Sequence, residues 1–91
     1  MRFEWDEAKR RSNVKQHGID FLDVVKVFDV ETLTLVDDRY EYGETRFLTL
    51  GLLNGTVFAI SHTENDEVIR IISARKSQKD EEIKYFKEIR D

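Results

Sequence analysis

FLTLGLLNGTVFAISHT, residues 47–63, places Asn54-Gly55 between two apolar runs. The central positions of a tight hairpin turn need positive φ, which asparagine and glycine tolerate, so this dipeptide predicts a two-residue loop. Phe47 to Leu53 then pairs antiparallel with Thr56 to Thr63, with Leu53 facing Thr56 and Phe47 facing His62. Glu64-Asn65-Asp66-Glu67 predicts a looser turn, followed by a further antiparallel strand from Val68 to Ala74. If Thr63 faces Val68, His62 also lies opposite Ile69. Strict alternation then puts His62 and Arg75 on one sheet face and Arg46, Arg70 and Lys76 on the other. Arg75 is six positions beyond Ile69, roughly 20 Å along the strand, too far to touch His62 unless a bulge shifts the register.

Working outward, Phe3 and Trp5 alternate as a short strand. Asp6 stands where a helix N-cap belongs, and Gly18 supplies the stop after His17. Ala8 and Val14 are nearly the only apolar residues of this first helix, which predicts a surface position. Asp20 caps a second helix, whose Phe21, Val24, Val25 and Phe28 form one apolar stripe destined for the core. Leu33 and Leu35 mark a strand that ends in the polar loop from Asp37 to Glu44. Beyond the meander, Ser77 is positioned to cap a final helix, with Asp80 at the capping-box position and Ile83, Phe86 and Ile89 facing the sheet. The expected class is α+β: a small antiparallel meander with two N-terminal helices and a C-terminal helix. All 91 residues fit one domain with a single modest core.

Composition narrows the chemistry. The chain has no cysteine, so thiolate metal sites, disulfides and cysteine nucleophiles are excluded, and two histidines alone make a poor metal site. No metal or cofactor is expected. No apolar run approaches the roughly 18 to 20 residues of a membrane span, and the N-terminus does not open like a signal peptide, so the expected location is the cytoplasm. The net charge is −4 but unevenly spread. Residues 8–17 carry Lys9, Arg10, Arg11 and Lys15 with no acid, and residues 68–79 carry Arg70, Arg75, Lys76 and Lys79 with no acid. Residues 20–44 hold eight acids against Lys26 and Arg39. The predicted surface is two-faced, with anion-binding capacity in the basic blocks; the alternative is that both blocks are ordinary solvated surface.

Arg75-Lys76 falls at a strand end just before a helix, where a planar guanidinium suits phosphate, or where it pairs with Glu81 or Glu82. His17 sits at a helix C-terminus, whose dipole favours the protonated ring, so it is either a general acid or a plain helix terminator. His62 reads as an acid–base group or as a rim residue bonded to the loop. Arg46 reads as a phosphate clamp or as half of a surface pair with Glu44.

Taken together, Phe3-Glu4-Trp5-Asp6-Glu7-Ala8-Lys9, Asn13, His17-Gly18-Ile19, Phe28-Asp29, Gly43-Glu44-Thr45-Arg46-Phe47, Gly51, His62-Thr63-Glu64 and Arg70-Ile71-Ile72-Ser73-Ala74-Arg75-Lys76 resemble the BrnT family of bacterial toxins over nearly the full length. The resemblance implies a RelE-like fold and a ribonuclease that halts translation. It also implies neutralisation by a small BrnA-type antitoxin encoded beside it, with operator DNA bound only through the toxin–antitoxin complex. One departure is Gln16, where the family usually carries a basic residue; Lys15 precedes it.

Metal-free RNA cleavage needs only that the ribose 2′-hydroxyl be oriented toward phosphorus, that protons move, and that added negative charge be stabilised. The expected catalytic set is Lys15, His17, Arg46, His62 and Arg75, with Arg70, Lys76 and Lys79 binding substrate. The alternative function is a non-catalytic interaction module, or an inactive toxin homologue, that binds an antitoxin-like partner. The antitoxin surface is expected to involve the second and final helices.

Overall fold

Arg2–Trp5 forms strand β1, and Glu7–His17 forms helix α1. Asp6 accepts a hydrogen bond from the Lys9 amide, and Gly18 closes the helix at φ 71°. After helix α2, Phe21–Val24, the chain tightens into a 3₁₀ segment, Val25–Asp29. Strands β2 (Thr32–Asp37), β3 (Arg46–Leu53), β4 (Thr56–Glu64) and β5 (Val68–Lys76) precede helix α3, Lys79–Arg90. The computed structural model describes residues 1–39 and 41–90, Arg90 by its backbone alone. Tyr40, in the predicted polar loop, and Asp91 lie outside the described residues.

The fold is α+β, built on a five-stranded sheet in the order β1-β5-β4-β3-β2. The hairpin forms as its turn chemistry predicts, with Asn54 at φ 51° and Gly55 at φ 82°. Leu53 pairs with Thr56 and Phe47 with His62. The expected all-antiparallel sheet is corrected to a mixed one, because β1 runs parallel to β5 and pairs Arg2 with Val68 and Trp5 with Ile71. Two helices intervene between β1 and the meander, so no turn signal could announce this pairing.

Each sheet face carries its own apolar cluster. On one face Phe21, Val24 and Val27 meet Ile60, Ile69, Ile71 and Ala74. On the other, Tyr85 of α3 meets Leu50, Val57 and Ala59, flanked by Leu33, Leu35 and Leu48. Each large apolar side chain withdrawn from water contributes about 1.5–3 kcal/mol, so both layers are needed to hold the helices to the sheet. The predicted stripe of the second helix gains a member: Val27 is fully buried, while Val25 and Phe28 are partly buried against the same cluster. A 3₁₀ turn advances about 120° per residue, which stacks Val27 over Val24. Gly51 makes room for it, since a Cβ there would overlap Val27 Cγ1.

The cap of the last helix also shifts by one residue. Gln78 takes the N-cap place, and its amide donates to Glu81 Oε1 at 2.7 Å, while Ser77 Oγ is buried without a hydrogen-bond partner. Glu81, rather than Asp80, therefore sits three residues into the helix and supplies the carboxylate of the cap.

Candidate nucleic-acid interface

A bulge decides which cations share a face. His62 pairs with Ile71 but Ser61 pairs with Ser73, so Ile72 is an extra residue in β5. Ile69 and Ile71 lie in the α2-side core and so does Ala74, an odd step that only a parity change permits. Arg70, before the bulge, and Ser73 and Arg75, after it, consequently all fall on the α3 side. Arg75 pairs with Ala59, which belongs to the α3-side cluster. Arg46 alternates with Leu48 and Leu50 onto that same side.

The expected grouping is thus corrected: Arg46, Arg70 and Arg75 share one face, while His62 and Lys76 alternate onto the other. Between the arginines the floor of β4 and β5 is Ser61, Thr63 and Ser73, all half-buried. Arg46 is the cross-strand neighbour of Asp37, and Arg70 is flanked by Thr63 and Glu4. With strands about 4.8 Å apart, Arg46 and Arg70 stand about 10 Å from each other across β4.

Arg75 and Arg46 are each anchored. Arg75 Nη1 and Nη2 donate to the two carboxylate oxygens of Glu81 at 2.7 and 3.0 Å. This pairing raises the Arg75 pKa and holds Glu81 below the usual carboxylate range. The predicted alternative of a structural pair is therefore formed, with the same carboxylate that caps α3. The Arg46 guanidinium lies 3.8 Å above the Tyr42 ring, and its Nε is 3.5 Å from Glu44 Oε1. Arg39, which lies among acids in the sequence, bonds to Asp37 at 2.9 Å and adds its field to the Arg75–Glu81 pair. Asp37, Arg39, Tyr42 and Arg46 line an open cavity of about 630 Å³. Lys79 opens α3.

Helix α1 reaches this region from the edge of β5. Strand β1 ends at Trp5 opposite Ile71, which leaves the outer edge of β5 bare beyond that point. Asn13 takes over: its Nδ2 donates to the Ala74 carbonyl at 2.9 Å, and its Oδ1 accepts from the Ala74 amide at 3.1 Å. A side-chain amide here does what a neighbouring strand would do. The same Nδ2 holds the Ile19 carbonyl, so the turn after α1 is fixed as well.

The result is a groove of about 210 Å³ lined by Lys9, Ser12, Asn13, Gln16, His17, Ile72 and Ser73. His17 therefore lines the same groove as Ser73, which lies between Arg70 and Arg75 along the strand. Lys15 does not line the groove; Lys9 does. Lys9, Asn13, Gln16 and His17 recur at helical spacing on one stripe, a signal present in the sequence once α1 is known to dock by that side.

His62 is not the rim residue expected. It is fully buried, stacked on Phe47 with ring centroids 5.8 Å apart and edge-on to Phe28 at 5.3 Å. Its Nε2 is 2.7 Å from Thr49 Oγ1, which in turn is 2.8 Å from Thr34 Oγ1. Burial pushes its pKa below the ordinary imidazole value, partly opposed by Glu64, whose Oε2 is 3.7 Å from Nδ1. The ring is a neutral core group with no path to a substrate in this conformation.

Among the described residues no helix is long and apolar enough to cross a membrane. A search of curated proteins finds no match. Residues 5–81, from the end of β1 through the Glu81 that holds Arg75, match the family described as "Ribonuclease toxin, BrnT, of type II toxin-antitoxin system". The chain belongs to the BrnT family of ribonuclease toxins.

Proposed function

We propose that this chain is an endoribonuclease that cuts RNA by attack of a ribose 2′-oxygen on the adjacent phosphorus, using the α3-side face of the sheet as its platform. The observation that carries the reading is the β5 bulge, which puts Ser73 and Arg75 on the face that already holds Arg70 and Arg46. Bulges recur beside active sites because they re-aim a side chain without ending a strand.

In the proposed step the 2′-hydroxyl gives up its proton to solvent as its oxygen forms a bond to phosphorus, the bond to the 5′-oxygen breaks, and the products are a 2′,3′-cyclic phosphate and a 5′-hydroxyl. Arg46, Arg70 and Arg75 bind successive phosphates and stabilise the charge that builds on the reacting one. His17, in the groove that Ser73 also lines, donates the proton to the departing oxygen, and Lys9 supplies the positive charge that Gln16 lacks. Lys15, on the exposed side of α1, contributes to the general field, as do Lys76 and Lys79. His62 supports the sheet beneath.

Family membership further suggests a RelE-like toxin acting in the cytoplasm to halt translation. A BrnA-type antitoxin would neutralise it, and the complex of the two would bind operator DNA. A non-catalytic interaction module is favoured by one observation, the bidentate hold of Glu81 on Arg75.

Purified protein incubated with RNA in chelator separates the readings. Cyclic phosphate ends, lost in an Arg46→Ala, Arg75→Ala double variant, are expected. Intact RNA, or cleavage only on addition of divalent ions, would overturn the mechanism.

A further inference from the structure

Strand β2 has one neighbour, β3, so the backbone groups along its outer side are unpaired within the sheet. Natural sheet edges are usually blunted by charge, proline, a bulge or brevity. The opposite edge, β1, follows that rule: it has four residues, of which Arg2 and Glu4 are charged. β2 does not. Its six residues read TLTLVD, uncharged until Asp37, and Val36 is 62% exposed. Such an edge invites another strand.

The surrounding charge identifies the visitor. Residues 29–44 contain Asp29, Glu31, Asp37, Asp38, Glu41 and Glu44 against Arg39 alone. Acids lie just before and just after the uncharged run. A second copy of this chain paired edge to edge would bring those acidic ends against each other, a repulsion that disfavours the dimer. A basic partner meets attraction at both ends. We propose that β2 is the docking edge for an extended segment of the antitoxin, which adds as a sixth strand and carries apolar residues beside Val36 and Lys or Arg at its ends. This rests on the toxin–antitoxin reading above and names the mode of binding. It also suggests how neutralisation works, because a strand added there runs past Asp37, the cross-strand neighbour of Arg46.

The test uses the chain co-expressed with the antitoxin encoded beside it, and compares amide exchange in the complex and in the free protein. The outward amides of Thr32–Asp37 are expected to slow by about 100-fold or more in the complex while those of β1 are unchanged. A Val36→Lys variant, altered at an exposed position, is expected to bind at least tenfold more weakly while cleaving RNA as the unaltered chain does. A complex that leaves β2 exchanging at its free rate, or that tolerates Val36→Lys, overturns the proposal alone. Protection of β2 that rises with concentration of the free chain assigns the edge to self-association and also overturns it. Failure to form any complex removes the antitoxin reading and this proposal with it.

Discussion

Replacing Asn13 by alanine tests how α1 is held to the sheet. The side chain is 5% exposed and makes three hydrogen bonds, two to Ala74 and one to the Ile19 carbonyl, at 2.9 to 3.1 Å. Alanine leaves the Ala74 amide and two carbonyls without these partners. A typical hydrogen bond contributes about 1 kcal/mol net, and a buried group left unsatisfied costs about 1–3 kcal/mol. Water reaching the Ile19 end would restore part of this, so the expected loss is about 2–5 kcal/mol. Proteins of this size have total stabilities of roughly 5–15 kcal/mol, so the variant should remain folded but lose a large fraction of its margin. Urea titration should show a lower midpoint at unchanged m, and the Ala74 amide should exchange faster than those of β3. RNA cleavage should fall together with α1 docking, because His17 is carried on the same helix. A change below about 0.5 kcal/mol would mean that water replaces Asn13 fully, and the account of α1 as a substitute strand would fail.

Gly51→Ala should destabilise by about 1–3 kcal/mol through collision with Val27, measured by thermal melting, whereas Gly55→Asn meets no atom at the open turn and should cost less, only the strain of holding asparagine at positive φ. His62 has a lowered pKa when folded, so below an unfolded value of about 6.5 the unfolded chain binds the proton first. Stability should therefore decline from near that pH downward, by up to about 1.4 kcal/mol per pH unit until the folded ring titrates, and His62→Gln should flatten that part of the profile. Lys9→Ala should reduce cleavage about fivefold, the worth of about 1 kcal/mol for one exposed contact to phosphate, with Lys15→Ala within twofold of the unaltered rate in a fluorescent RNA assay.

What could be read in the sequence was what local chemistry dictates. Asn54-Gly55 set its hairpin register because few other dipeptides adopt that turn, and Asp6 and Gly18 bounded α1 because a helix end must satisfy its free backbone groups. The candidate site was legible as a list of residue types but not as an arrangement. Ile72 looks like any strand residue, and its bulge follows from matching β5 both to β4 and to Asn13 on α1, 61 positions away from Ala74. That one extra residue reversed the side of Arg75 and Lys76. The burial of His62 is hidden in the sequence for a related reason: alternation gives the face of its ring, but the Phe28 ring that covers it comes from a distant segment. The switch to 3₁₀ geometry after Val24, which sets Val27 against Gly51, has no marker in the residues themselves.

The pairing of Arg75 with Glu81 need not oppose binding of a phosphate. A guanidinium has five N–H donors in one plane. Glu81 takes one from each Nη, and the Lys76 carbonyl accepts from Nη1 at 3.3 Å. The Nε–H and the remaining Nη2–H lie side by side on a separate edge, the geometry that two phosphate oxygens fit. Glu81, fixed in turn by the Gln78 amide, then acts as a positioning residue that sets the plane of the fork. Lysine in place of Arg75 keeps the charge and can still meet Glu81, but it has no second rigid edge. Arg75→Lys should therefore fold with a loss of about 1 kcal/mol while cleaving RNA at least tenfold more slowly, with the KM for RNA rising less than kcat falls. Cleavage at the unaltered rate would show that a point charge suffices, and the oriented edge would have no part in the reaction.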